Sequence, residues 1–363
     1  MIKVLYTVNG LRVNGMSAVI MQYLIGLKDK GYEFVIFTDE VAEQYHSIIH
    51  RCNAKLITSQ ERRKNQLAYF AELCSIIRKE KIDIIHAHGN SATIAVEMLA
   101  ALVGGVKIRV AHSHNTTCVH ATADKLLRPL FNMTYTHGIG CGVEAGKWLF
   151  GERKHQVIKN GIALEQFAYN PAERMRIRER IKVDDKTCIV GHVGRFTDQK
   201  NHEAILRIFK QYLLLQSQSV LLLVGDGPNI DSVKEQADKL GITENVIFYG
   251  TTAETAAMYS AMDVFLFPSK FEGVPLTLVE AQASGLPCFI SDRISNEVIK
   301  TDLVKVLSLD EEKKWAQCLR FDKDKRRNSS ERAILSLTAA GFEIGEVIKQ
   351  VDKLYRTAVT LRR

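Results

Sequence analysis

Glu272 and Glu280 stand eight residues apart in KFEGVPLTLVEAQASG, residues 270–285, with a Gly-Val-Pro turn between them. The run Val264–Pro268 before the turn reads as a buried strand. The text after it reads as a helix that Pro275 can open and Gly285 can close. Strand, tight loop and helix N-terminus in that order present unpaired backbone N–H groups at the positive end of a helix dipole, which favours a phosphate. Carboxylates are poor phosphate ligands, but they accept hydrogen bonds from sugar hydroxyls. A phosphate-facing loop flanked by two carboxylates points to a nucleotide sugar.

A second set lies upstream. Arg195 and Lys200 are five apart in GRFTDQKN, and Gly225 and Gly227 stand in GDGP. A guanidinium fork, an ammonium point charge and glycine-lined helix entries around one site suit a pyrophosphate. Exposed loop charge and a tight turn are the plainer explanations, and Ile230 stands where a dinucleotide fingerprint would need glycine or alanine. Gly10 and Gly15 have the spacing of a Walker A loop, but Met16 and Ser17 follow in place of its lysine, which argues against a P-loop NTPase.

The histidines form a third set. His86-x-His88 and His112-x-His114 end two expected strands, where residues two apart point the same way, so the imidazoles could converge on one pocket. A metal site is one reading, since HxH is a spacing that metal-dependent hydrolases use. Against it, no carboxylate follows either pair closely and the second half of the chain would have no purpose. Asp322-Lys323-Asp324 is formally a D-x-D, but it lies in charged text and reads as solvated surface.

The elements that must position these residues follow from periodicity. Strands are expected at Ile2–Val8, Phe34–Thr38, Lys55–Thr58, Ile82–His86, Val106–Ala111 and Gly138–Cys141. After polar, proline-containing text at 166–183, taken as a linker, they resume at Cys188–Val193, Val220–Val224, Val246–Tyr249, Val264–Pro268 and Cys288–Ser291. Helical text alternates with them, including Glu203–Gln216 with Asn201 as its cap. The pattern predicts an α/β protein of two doubly wound, Rossmann-like domains, 1–165 and 184–340, with ligands at the carboxyl ends of the strands.

GHVGRFTDQKN, GDGP and FEGVPLTLVEA together resemble the second half of a family 4 glycosyltransferase of GT-B architecture, and HAHGN and AHSHN resemble the exopolysaccharide and capsule branch of that family. The resemblance implies two domains facing a central cleft, with the last helix, about 344–363, packed back on the first. It implies retaining transfer of a hexose or N-acetylhexosamine from a UDP-sugar to a glycan acceptor, lipid-linked, with no metal or other cofactor. Arg195 and Lys200 would neutralise the diphosphate, and Glu272 would hold the hexose. The backbone of Gly273, Val274, Pro275, Leu276 and Thr277 would surround sugar and phosphate, with Gly225 and Gly227 beside them, and Glu280 would hold the ribose. Gly15 and His114 would meet the donor from the first domain. His114, Glu272, Arg195 and Lys200 would thus serve the transfer, and His86, His88, Asn90 and His112 would line the acceptor side. A nucleotide-sugar epimerase or hydrolase on the same scaffold, or a non-catalytic nucleotide-sugar-binding partner subunit, would share these residues.

Composition bounds the rest. A hydrophobic content of 46% and a charged content of 25% are those of a water-soluble globular chain, with no transmembrane run or signal peptide expected. Seven scattered cysteines without a CxxC pair are expected to be reduced thiols of a cytoplasmic protein. Of the net charge of +8, residues 1–165 carry 20 Lys+Arg against 14 Asp+Glu, or +6. That excess suits either a solvated basic surface or peripheral contact with the inner leaflet of a membrane, and no nucleic-acid motif accompanies it.

Overall fold

A computed structural model of the chain describes residues 1–118, 120–320 and 325–361. The D-x-D at 322–324 lies outside the described residues. The chain divides into two compact units, Met1–Gly161 with Ile344–Arg363, and Ile162–Glu343. No helix among the described residues is long and apolar enough to cross a membrane.

The first unit is built on a parallel sheet of seven strands: β1 (Ile2–Val8), β2 (Tyr32–Thr38), β3 (Lys55–Thr58), β4 (Ile84–Gly89), β5 (Ile108–Ser113), β6 (His137–Gly140) and β7 (Gln156–Val157), in the order β3-β2-β1-β4-β5-β6-β7. Its central strands are near-continuous buried runs, as parallel strands covered on both faces must be. The last helix, Ile344–Thr360, packs on the helix Gly15–Leu27. A Cβ at Gly26 would fall 2.5 Å from Ile348 Cγ1, so the glycine permits that contact. Tyr32 donates to Asp352 Oδ1 at 2.6 Å, and Tyr355 is fully buried.

The second unit repeats the plan with six strands: β8 (Cys188–Val193), β9 (Ser219–Val224), β10 (Val246–Gly250), β11 (Val264–Phe267), β12 (Cys288–Ser291) and β13 (Val304–Leu307), ordered β10-β9-β8-β11-β12-β13. Strand order reverses between β1 and β4 in one sheet and between β8 and β11 in the other. At such a switch point the flanking loops run apart and leave a crevice beyond the strand ends.

Several elements differ from the sequence expectation. The expected linker at 166–183 contains the helix Pro171–Arg180, which belongs to the second unit. Pro171 starts this helix, and Asn170 caps it by accepting from Ala172 N and Glu173 N at 2.9 and 3.2 Å. The polar text concealed a buried face made of arginine. Arg174 and Arg178 lie 6% and 3% exposed, with Arg326 at 5%, around the buried carboxylate of Asp263 and nearby carbonyls, and Arg174 also reaches the exposed Asp185 at 3.1 Å. Asp263 Oδ1 takes Arg174 at 2.8 Å, and Oδ2 takes Arg178 at 3.2 Å and the Ile189 amide at 2.8 Å. Arg326 donates to Tyr259 O at 2.6 Å and Ser284 O at 2.9 Å, and burial pushes its pKa down to about 9. The edge strand β13 and the helices Glu43–Arg51, Ala121–Thr134 and Glu312–Cys318 also escape the sequence reading, because charged or mixed text blurs their short periods.

Asp263→Asn should lower the stability of the second unit by about 3–5 kcal/mol, because it leaves the buried Arg178 guanidinium without its carboxylate and Arg174 with only the exposed Asp185. Thermal and urea unfolding check this; a loss below about 1 kcal/mol would show that the carbonyls alone carry the arginines.

Candidate active site

In the second unit the loops that leave β8 and β11 flank the switch point, and they are laced together. Lys270 N donates to Gln199 O at 2.8 Å, Gln199 Nε2 to Phe271 O at 3.0 Å, and Asn201 Nδ2 to Pro268 O at 3.1 Å. Asn201 therefore does not cap the following helix His202–Leu215 as expected. It sits in the left-handed region at φ 57°, its side chain spent on the neighbouring loop. Across the same loops Lys200 Nζ reaches Glu272 Oε1 at 2.7 Å, both side chains largely buried, with the ammonium 4.6 Å from the Phe267 ring centroid. Arg195 is exposed, and among the described residues no carboxylate pairs with it.

The helix Leu276–Ala283 begins directly after Pro275 and ends before Gly285, whose φ of +68° and contact with Arg326 O exclude a side chain. Its first N–H groups have no intrahelical acceptor, and the Thr277 hydroxyl in its first turn is buried without a partner. Gly225 and Gly227 are needed for packing. A Cβ at Gly225 would stand 2.1 Å from Gly194 O, and one at Gly227 2.4 Å from Phe196 O, so both let the loop after β9 lie against the loop that carries Arg195. The structure brings Arg195, Lys200, Glu272 and the segment Gly273–Thr277 to one edge of one sheet.

Glu280, in the second turn of that helix, accepts from the Tyr259 hydroxyl at 2.8 Å. Burial pushes its pKa up to about 7, against the smaller lowering effects of Tyr259 and Lys200. Tyr259 was invisible to sequence reasoning, since a tyrosine at a buried helix position normally reads as core. His202 was missed as well. It stacks on Phe196 at 3.9 Å between ring centroids and so braces the Arg195–Lys200 loop, and burial holds it neutral, its pKa near 3.

In the first unit the four histidines do converge, at the ends of β4 and β5, but in the interior. His86, His88 and His112 are 0%, 3% and 0% exposed. His86 Nδ1 bonds Tyr355 Oη at 2.5 Å, His86 Nε2 faces His112 Nδ1 at 3.2 Å, and His88 Nδ1 faces His114 Nε2 at 2.9 Å. The rings stack as His86 on His88 and His112 on His114, with centroids 4.2 and 4.1 Å apart. Burial, reinforced by the neighbouring imidazoles, drives the pKa values of His86, His88 and His112 far down, and burial brings His114 to about 3 against a weaker opposing effect of Asn160. These are neutral imidazoles. Ring nitrogens of His86, His88 and His112 lie within 4.8 Å of one another, which is close enough to hold a metal ion, although the rings' hydrogen bonds to each other and to Tyr355 already engage most of them.

That burial corrects the acceptor-side expectation for His86, His88 and His112: a sealed ring cannot touch a substrate. Asn90 is also spent on structure, its Oδ1 accepting from His114 N at 3.2 Å and its carbonyl from Trp148 Nε1 at 2.8 Å. Of the four only His114 is partly exposed, and its Nδ1 is buried as well. Gly15 opens the helix Gly15–Leu27, where Asn14 caps Ser17 N at 3.0 Å, and a Cβ on it would meet no protein atom.

A family model described as "Glycosyl transferases group 1" matches residues 173–316, and one described as "Glycosyltransferase Family 4" matches 13–140. The "Putative glycosyltransferase EpsF" of Bacillus subtilis is 32% identical over 337 residues, covering 87% of this chain and 86% of that protein. The "UDP-Gal:alpha-D-GlcNAc-diphosphoundecaprenol alpha-1,3-galactosyltransferase" of Escherichia coli is 29% identical, covering 78% and 76%. Among solved structures, Anabaena HepE in complex with UDP superposes with a TM-score of 0.81 at 17% identity, covering 98% of this chain and 100% of that one.

Glu280 makes stability depend on pH. Its folded pKa lies above the ordinary carboxyl value, so the folded state binds more protons than the unfolded state between about pH 4.5 and 7. Its contribution is therefore fully present below that window and is lost as pH rises through it. Glu280→Gln, which stays neutral, should gain melting temperature relative to the parent between pH 5 and 8; a difference that does not change with pH would show that Glu280 ionises normally.

Proposed function

The chain belongs to the family 4 glycosyltransferases of GT-B architecture, and on that footing we propose that it moves a hexose or N-acetylhexosamine from a UDP-sugar to a glycan acceptor, lipid-linked, in cell-surface polysaccharide synthesis, with retention of anomeric configuration and without a metal. The observation that carries this reading is the Lys200–Glu272 pair beside the open first turn of the helix Leu276–Ala283. A cation, a hydroxyl-accepting carboxylate and free N–H groups then meet at the switch point of one parallel sheet, where a diphosphate and its sugar would lie side by side. The named activity of the E. coli relative and the UDP and UDP-glucose complexes of HepE favour uridine as the base.

In this reading the exposed Arg195 takes the diphosphate in fork geometry, and Lys200 shifts from Glu272 toward the phosphate when donor arrives. That shift releases Glu272 to accept from the hexose hydroxyls, so donor binding and site assembly are one event. Glu280, held by Tyr259, accepts from the ribose hydroxyls. The acceptor oxygen attacks the anomeric carbon from the face that the diphosphate leaves. The carbon–oxygen bond to the β-phosphate breaks with its electron pair on the phosphate oxygen, which takes the acceptor's proton. The protein's part is to orient the reactants and stabilise the departing charge, which is the part that fixed cations and helix N–H groups can play. His114, whose Nδ1 is buried, has no role as a base.

Glu272→Ala and Glu280→Ala should each cut transfer by about 10²-fold or more with the fold intact by circular dichroism. Turnover within a few-fold of the parent in either variant would overturn the site. Thermal shifts with UDP-, GDP- and ADP-sugars test the base, since a donor bound only by the folded state raises its melting temperature. Anomeric couplings in the product's proton NMR spectrum test retention. Sugar release at the full rate without any acceptor would favour hydrolysis instead.

A further inference from the structure

β8 and β11 are neighbours in the sheet of the second unit, and the loops that leave them carry the candidate donor groups. Their backbone pairing is short. It registers Val264 with Val190 and Phe265 with Gly191, and it ends there. On their other sides the same strands stay paired further, β8 with β9 as far as Val193 and β11 with β12 as far as Phe267. The next pair in register between β8 and β11 would be His192 and Leu266. There a side chain takes the place of the backbone rung: His192 Nδ1 donates to Leu266 O at 2.9 Å.

The tautomer follows from the partner. A carbonyl oxygen only accepts, so Nδ1 carries the proton and Nε2 is a bare acceptor. The ring is 0% exposed, and burial, reinforced by His202 and Lys200, holds it neutral against the smaller opposing effect of the carbonyl. It stacks with Phe265 and Phe267, with centroids 6.0 and 5.6 Å away, and meets His202 edge-on at 4.9 Å. Two of these neighbours lead to donor groups. The Lys200 ammonium stands 4.6 Å from the Phe267 centroid, and His202 stacks on Phe196, which follows Arg195. Gly194 makes the link to Lys200 direct. A Cβ on it would stand 2.7 Å from His192 Nε2 and 3.4 Å from Lys200 Cδ, so the imidazole edge and the lysine stem meet beside that glycine.

An apolar side chain would fill the same space in the core. What the imidazole adds is a donor at the point where two strands stop pairing, and that bond limits how far their loops part. Small displacements matter at such a place, since a misplacement of about 1 Å in a binding group can cost 10²-fold. We propose that His192 is a positioning residue for the donor site: its bond to Leu266 O sets the spacing of the loops that leave β8 and β11, and so holds Arg195 and Lys200 in place opposite Glu272. It touches no substrate. The clip stands on the geometry of the two strands, and its consequence for the donor rests on the transferase reading.

The test uses the full chain and two variants. His192→Leu fills the space without a donor, and His192→Asn brings an amide N–H close to the place of Nδ1. Hydrogen–deuterium exchange reads the clip itself. Amides of 194–201 and 269–274 should exchange at least about 5-fold faster in His192→Leu and near the parental rate in His192→Asn, with the helix Arg326–Ala339 unchanged in both. Calorimetric titration with UDP reads the consequence: binding should weaken by at least about 10-fold in His192→Leu and return to within about 3-fold of the parent in His192→Asn. Parental exchange of both loops in His192→Leu, acceleration that includes Arg326–Ala339, or His192→Asn behaving as His192→Leu would each overturn the clip. Faster loop exchange with unchanged UDP affinity would overturn its role in positioning the donor groups. A parent protein that does not bind UDP would instead overturn the donor reading, and exchange alone would then decide the clip. If His192→Leu fails to fold, His192→Gln replaces it, since its amide lies one carbon beyond the place of Nδ1; equal behaviour of the Asn and Gln variants would overturn the proposal.

Discussion

Parallel strands cannot be joined by tight turns, and both sheets of this protein are parallel throughout. Every strand must be followed by a crossover, so every loop that leaves a strand's carboxyl end falls on the same edge. The reversal of strand order at β8 and β11 then separates two of those loops enough to admit a ligand, yet leaves them close enough for Lys200 to reach Glu272. The glycines after β9 belong to the same constraint: without side chains at Gly225 and Gly227, a third loop closes against the first two. The candidate donor site is a consequence of sheet topology, with its chemistry added at the loop tips.

Charge is distributed in this fold by how deeply each group is buried. Where the structure needs rigidity it buries cations among carbonyls, as with Arg174, Arg178 and Arg326 around Asp263. Where it packs imidazoles together it keeps them neutral, since four charged rings in contact would repel one another and lose their hydration. Toward the carboxyl edges of the sheets the balance differs. In the second unit Thr277 has a buried hydroxyl without a partner, and burial displaces the Glu280 pKa upward.

Much of the fold was legible because its signals are local. Buried strands read as apolar runs, and the text KFEGVPLTLVEA carries its turn, its helix start and both carboxylates within one segment, so its strand–loop–helix form follows from neighbours in sequence. The helix Pro171–Arg180 was not legible, because its buried face is arginine and its proline opens a helix where a break was expected. The edge strand β13 was hidden by lysine on a half-exposed face. Misreading the acceptor side had a similar origin. The alternation in HAHG and HSHN correctly put each pair of histidines on one side of a strand, but period alone does not say whether that side faces solvent or core.

The sequence by itself therefore determined the α/β alternation, the two successive sheets and the carboxylate pair Glu272 and Glu280, since each depends on residues within a few positions of one another. Tertiary structure alone decided which of the expected groups are free to act. It buries His86, His88 and His112 and bonds His86 to Tyr355, 269 residues further along the chain. It ties Lys200 to Glu272 and Tyr259 to Glu280. The physical reason is that desolvation and hydrogen-bond satisfaction depend on what surrounds a group in space, and those neighbours are brought together only when distant segments pack.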